Sequence, residues 1–524
     1  MYNLSWRGIM FTTKPIKIAL LCLGIMLSST THALAFPQIS EKDLINQFTD
    51  SLHYAGAHQT EIWPGFKLSN VATILEFDPS EQPTLDYKRF HLYAFDFQPA
   101  NPLWQKINIQ GSNAYYMPQN PIGLEESLTL IDNQIVLPFR ADPFMDVTEE
   151  IVNMHAEKFM LYFMQHTPLD ELKENTQSFL HDENNLRLTA LEIEAMKTYL
   201  KSNDVEALKD MLALRQYRIK SLTDDIIKNE NTREKERGVA LYVGIRSANL
   251  DSTNANNFIL HRIERNAPDL ASSNQNFLTN FREYVADSIG HNSGAVLALA
   301  LERVGDNQWK SAVQDNAEPL ITLLEKHYAM NETEINQRAL SASDKYHFTD
   351  FSAKLKSALT ENETGAVEAQ NTFSASTGIK VHVVTQVDNN ALEGTDWTHV
   401  LFASFNQTIF NGNNFTKYLH SSNVQLELRN IPIVIENNSL KVIKILPNDN
   451  LKVIGNEETN TFKLPINASI VMDGQTTTLN ALTQKSQTLK FHKIENENVS
   501  ITLENNLTGE LITQNGEVTI KLIS

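Results

Sequence analysis

Glu157 is the side chain of this sequence most open to a chemical reading. It lies in the run His155-Ala156-Glu157-Lys158-Phe159-Met160, where apolar residues recur at helical spacing. A carboxylate on such a helix can serve a metal hydrolase as general base when two imidazoles one turn apart hold zinc beside it. No His-Glu-x-x-His occurs anywhere in the 524 residues. His155 and His166 share a helix face, but three turns separate them, too far for one ion; surface histidines are the ordinary alternative. His53 and His58 would bind metal only if their segment bends, and His291 reads either as a cleft residue or as a loop or helix-start histidine. Arg215, Arg218 and Arg233 suit a substrate carboxylate, or else neutralise Asp224, Asp225, Glu230 and Glu234 on neighbouring turns. Trp63-Pro64-Gly65-Phe66 would line a binding pocket or form a turn whose two aromatics plug a core edge. There is no Gly-x-Ser-x-Gly and no glycine-rich phosphate loop.

The single cysteine, Cys22, falls in the first 35 residues, which read as a signal peptide. Lys14 and Lys17 give a basic flank, Ile18 to Leu27 an apolar core, and Ala33-Leu34-Ala35 a small-x-small cleavage pattern before Phe36. The expected address is secreted or periplasmic, in a bacterium. The chain after cleavage would have no thiol for a disulfide, a nucleophile or a metal. Removing Arg7, Lys14 and Lys17 takes the formal charge from −19 to −22. That balance disfavours nucleic acid and anionic lipid. No later run is long and apolar enough to predict an integral membrane segment.

The elements that must position these residues read as α+β. Residues 36–146 are expected to be mixed strand and loop, with strands at Val71–Phe77, Phe90–Phe97 and Gln134–Phe139. Residues 147–360 are expected to be helical, starting with Thr148-Glu149-Glu150 as a cap. Further helices are expected at Leu169–Leu180 and Leu188–Lys201. A capping box at Asn203–Glu206 would open one long helix through Leu222 and Ile226. Gly238–Ile245 and the apolar Gly294–Arg303 follow. Residues 361–378 read as a linker. Residues 379–524 read as an all-β sandwich or barrel, with hairpin turns at Asp473-Gly474 and Asn515-Gly516.

Several of these pieces, in order, carry a resemblance. Glu61-Ile62-Trp63-Pro64-Gly65-Phe66-Lys67-Leu68 resembles the "LWPGFDP" opening of a bacterial family of secreted putative zinc metallopeptidases. Ala213-Leu214-Arg215-Gln216-Tyr217-Arg218 resembles that family's arginine-bearing helix. Glu236-Arg237-Gly238-Val239-Ala240-Leu241-Tyr242-Val243 resembles its "EGxAxYV" element, and Gly294–Leu299 with Trp309 its later buried helix. The resemblance spans roughly residues 50–330. It implies a helix carrying His-Glu-x-Phe-His, with a later carboxylate as third zinc ligand. Here Ala156 and Met160 stand at the histidine positions and Glu157 at the base. Arg237 stands directly before Gly238 where the ligand carboxylate falls, with Glu236 displaced by one. Alanine binds no metal, and a thioether is a poor zinc ligand beside oxygen donors. The expectation is a metallopeptidase-like protein that has lost zinc and catalysis and binds a peptide or protein. Trp63, Phe66 and Arg215 are its candidate binding residues. The alternatives are an active hydrolase with a non-standard zinc site using His155 and Glu157, and a structural or adhesive exported protein.

Overall fold

The computed structural model describes residues 39–79, 89–120, 129–141 except 133, 146–169, 182–267, 277–346 and 351–361, with Leu180, Phe348, Thr364 and Val367 and strand backbone between Ile379 and Ile523. The signal peptide, most of the expected helix at Leu169–Leu180 and most of the linker lie outside the described residues. The described part up to residue 361 is mostly helical, with a mixed sheet near its start.

The chain enters through helix α1 (Glu41–Ile62), where strand and loop were expected. Its start is legible in retrospect: Ser40 caps it by accepting from the Asp43 amide, and Leu44, Ile45, Phe48 and Ala55 form a buried stripe. Six strands follow: β1 (Ala72–Phe77), β2 (His91–Phe95), β3 (Gln105–Ile109), β4 (Ser112–Met117), β5 (Thr129–Ile131) and β6 (Gln134–Ala141). They form one sheet in the order β3-β4-β2-β1-β6-β5. Only the β1–β6 pair is parallel; the chain must leave the sheet between these strands and return alongside. Leu75, Phe77, Leu137 and Phe139 pack from one face against α1 and the next helix. Ala72, Ile74, Leu92 and Val136 form a second cluster with Phe97 and Trp104.

Helix α2 (Val147–His166) is capped by Asp146, whose carboxylate accepts from the Glu149 amide at 3.1 Å; the cap is thus not Thr148 but the acid before Val147. Then come α3 (Glu183–Ser202), α4 (Val205–Ile219), α5 (Asp224–Arg233), a π-helical turn at Glu234–Gly238, α6 (Val239–Ser247), α7 (Ser252–Asn266) and α8 (Phe277–Glu283). A second π turn at Tyr284–Ser288 leads into α9 (Ile289–Arg303), followed by α10 (Trp309–Asn316), α11 (Leu320–Tyr328) and α12 (Glu332–Lys345).

The expected long helix from Val205 is two helices. Thr223 starts the second, with Asp224 and Asp225 in its positively polarised first turn. The expected capping box is also divided. Asn203 ends α3 in the left-handed region at φ +54°, and Asp204 caps α4 by accepting from the Glu206 amide at 2.9 Å. Among the described residues, no helix is long and apolar enough to cross a membrane.

Candidate functional site

Helix α2 is gripped on four faces, and each fixes the meaning of one sequence candidate. Val147, Ile151 and Met154 face the sheet, and Lys158 continues their spacing. Val152 and Ala156 meet α6 at Gly244, where an added Cβ would fall 2.3 Å from the Val152 carbonyl oxygen and 3.1 Å from the Ala156 Cβ. Small size at 156 is therefore a packing requirement of this crossing. Phe159, Met160 and Phe163 enter the main core. Glu149, Asn153 and Glu157, four apart, line the remaining face.

Trp63 and Phe66 belong to the core face. Trp63 is fully buried, donates from Nε1 to Gln314 Oε1 at 2.7 Å, and stacks edge-on against Phe159, Phe163 and Trp309. Phe66 packs on Phe159 and Tyr162. Gly65 takes φ +81°, and a Cβ there would come 2.7 Å from the Tyr162 hydroxyl. The Trp-Pro-Gly-Phe segment thus pins α1 to the C-terminal half of α2 and to α10.

Arg215 is also internal. Its Nε donates to Glu192 at 2.5 Å and its Nη1 lies 2.9 Å from Glu234. Arg218 grips Glu230 with both terminal nitrogens, at 2.7 and 2.9 Å, and reaches Asn185. Ser293 donates to Glu234 at 2.5 Å. Burial opposes the charge of Arg215, but Glu192, Glu234 and Glu230 outweigh it and raise its pKa. The arginines therefore neutralise Glu230 and Glu234, as their spacing allowed. Glu192, on α3, is a partner that local spacing could not reveal.

This network anchors the first π turn. Next to it Gly238 meets α9 so closely that a Cβ would fall 2.4 Å from the Gly294 Cα. π turns insert a residue into a helix and recur at functional sites. Glu236 and Arg237 project from this turn, with Glu236 Oε1 3.5 Å from Arg237 Nε. The member of this element that acts on Glu157 is Arg237. Burial pushes the Glu157 carboxyl up to about 7, while the Arg237 guanidinium pulls it down.

His291 lies in the first turn of α9. Burial first, then Arg237, Arg262 and Arg233, hold its imidazole neutral, down to about 3. At the far end of the same α2 face, Glu149 binds Arg262 at 2.7 Å and Arg265 at 2.5 Å, and Asn153 lies 3.3 Å from Arg262. Neither Glu157 nor His291 makes a hydrogen bond among the described residues.

The donor set does not fit zinc. Ala156 has no donor, Met160 is in the core, and Glu236 is beside a guanidinium. Among the described residues, no group of three or more His, Asp or Glu is placed to hold a metal ion. His155, the alternative ligand, is fully buried with Nε2 2.5 Å from Ser51 Oγ. His53 pairs with Ser112, and His58 with the Tyr54 carbonyl one turn back.

No family model, curated protein or solved structure matches this chain.

The sequence pattern does not reveal Arg237 as the charge that acts on Glu157, nor as one of the arginines acting on His291. The available signal was the spacing Gly290-x-x-x-Gly294 opposite Gly238, which permits the two helices to approach.

Proposed function

We propose that this chain is a secreted or periplasmic metallopeptidase-like protein that has exchanged its metal for an arginine. It binds a peptide or protein segment without cleaving it. The single observation behind this reading is that the cation acting on the buried Glu157 carboxyl is the Arg237 guanidinium. In the zinc family that the sequence resembles, the general base faces a metal cation. Here a guanidinium supplies the positive charge acting on Glu157, and the positions of the three ligands carry no usable set of donors. Arginine supplies charge and directed N–H groups but no open coordination position for water, so it supports recognition and not metal-type hydrolysis.

Elemental analysis of the purified chain, with a casein-cleavage assay in the presence and absence of chelator, tests the proposal. Zinc below 0.1 equivalent and no chelator-sensitive cleavage are expected; stoichiometric zinc with chelator-sensitive cleavage would overturn it. The rival hydrolase using His155 with Glu157 is less well supported. The two residues are two positions apart, about 200° around the helix, and His155 is sealed against Ser51.

We also infer a C-terminal β domain, a sandwich or barrel, acting as an interaction module. Alternating sequence supports it, as do the antiparallel pairings of Ser469–Met472 with Gln475–Thr478 and of Thr508–Gln514 with Glu517–Ile523.

A further inference from the structure

We infer that Glu41 and His91 form a pH-dependent latch, which holds the leading end of α1 on the sheet at mildly acidic pH and slackens as the medium becomes alkaline. The inference is independent of the peptide-binding reading.

The latch joins elements that are far apart in the chain. Glu41 is the first residue of α1 and His91 the first of β2. Glu41 Oε1 lies 2.6 Å from His91 Nδ1 and accepts from the Tyr93 hydroxyl at 2.8 Å. His91 and Tyr93, two apart on one strand, share a face. Tyr116 of β4 pairs with Tyr93 and meets the His91 ring edge-on at 5.9 Å. Among the described residues, the titratable groups around His91 are thus Glu41 from α1, Tyr93 from its own strand and Tyr116 from β4. Its partner on β1 is Phe77, which does not titrate. Asp43, the other acid in the first turn of α1, is taken by Ser40, which donates to its carboxylate at 2.6 Å.

The two donors to Glu41 respond differently to pH. The Tyr93 phenol keeps its proton, since burial and then Glu41 raise its pKa. The bond to Glu41 raises the His91 imidazole above 6.5, against burial. Burial disfavours the Glu41 charge, but His91 and Tyr93 outweigh it and hold the carboxyl below 4.5. The His91 contribution is therefore fully present below 6.5 and is lost as pH rises through the raised folded value. The Glu41 contribution is present above 4.5 and is lost as pH falls through the lowered folded value. Both charges are in place between 4.5 and 6.5. Above that window a neutral imidazole still donates from Nδ1, so the latch slackens and does not open. Both side chains are 27 % exposed, so water screens the pair and its effect is modest.

The other fastenings of α1 do not follow the same charge. Leu44, Ile45 and Phe48 hold it to the sheet by burial. Ser51 lies 2.5 Å from His155 Nε2 on α2, and His53 pairs with Ser112 on β4. None of these sets a carboxylate against an imidazole, so the pH response is confined to the first turns of the helix.

Amide hydrogen exchange on the full chain, read by NMR and corrected for intrinsic rates, tests the latch. The Leu44 amide donates to the Ser40 carbonyl at 3.0 Å and reports the first turn. The ratio of its protection at pH 6 to that at pH 8.5 is expected to be about three-fold larger in the parent than in Glu41→Gln, the effect of one partly exposed ion pair. His91→Gln should flatten the ratio equally. Equal ratios in parent and variants overturn the inference. An excess of the same size at Leu297 in α9 also overturns it, since the pair would then act on the whole fold and not as a latch. Titration of the His91 ring in the parent needs no variant: a midpoint above 6.5 supports the latch, and one at or below 6.5 overturns it.

Discussion

Lys158 is a buried cation without a hydrogen bond among the described residues. It continues the apolar stripe of α2 toward the sheet, fully buried, and its Nζ has no hydrogen-bond partner among the described residues. Burial pushes its ammonium down to about 8, with Asp96 opposing. Between pH 8 and the unfolded value of 10.5 the unfolded chain binds more protons, so stability rises with pH across that window. Lys158→Met should stabilise the protein by about 3 kcal/mol at pH 7, and should flatten that rise. Urea unfolding at pH 7.5 and 10 checks both; an unchanged or lower midpoint at pH 7.5 would show that the amine is compensated. Glu157 has the opposite sign. Its folded pKa is raised, so its contribution is present below 4.5 and is lost as pH rises through about 7. Glu157→Gln should remove that part of the decline, making the variant gain on the parent chain from pH 5 to pH 8. Parallel stability curves over that range would contradict this account of the site.

The elements are held by two devices, close glycine crossings and a buried ion network. At Gly294 an added Cβ would lie 2.5 Å from the Glu234 carbonyl oxygen and 2.8 Å from the Gly238 Cα, all backbone that cannot swing aside. Gly294→Ala should therefore cost about 3 kcal/mol, and should loosen the π turn that presents Arg237. A chemical unfolding midpoint within error of the parent would show that α9 can slide. The network makes a separate demand. Arg215→Met leaves Glu192 and Glu234 buried without their main counter-charge, at a cost of about 3–5 kcal/mol. Equilibrium unfolding measures this, and a loss below 1 kcal/mol would mean that Arg218 alone suffices. These two elements of support explain how a charged side chain can be presented reproducibly from a π turn.

Across the whole molecule the two deeply desolvated histidines act together. Burial and Lys158 hold His155 down to about 3, and burial with three arginines holds His291 down to about 3. Each binds fewer protons folded than unfolded between 3 and 6.5, so stability falls as pH drops through that window. Thermal unfolding at pH 7, 6 and 5 should show a falling midpoint, and His291→Gln should lessen the fall; an unaffected slope would mean that carboxylates alone govern acid sensitivity. Much of the architecture was legible from periodicity. The strands at Ala72–Phe77 and Gln134–Ala141 and the helices around Glu157, Arg215 and Leu297 follow from alternation or helical spacing, which are local consequences of burying one face. Helix α1 was missed although Ser40 and its apolar stripe announce it, and the break before Thr223 was missed because the apolar spacing nearly continues across it. The sequence by itself determined that Glu157 stands on an amphipathic helix without zinc-binding neighbours at the expected spacing. Only the tertiary structure decided that Ala156 is small because α6 crosses there, that Arg215 belongs to a buried network, and that Arg237 is the charge acting on Glu157. Those are contacts between helices far apart in the chain, set by the distance at which glycines let backbones meet, and no local pattern encodes which residues that approach brings together.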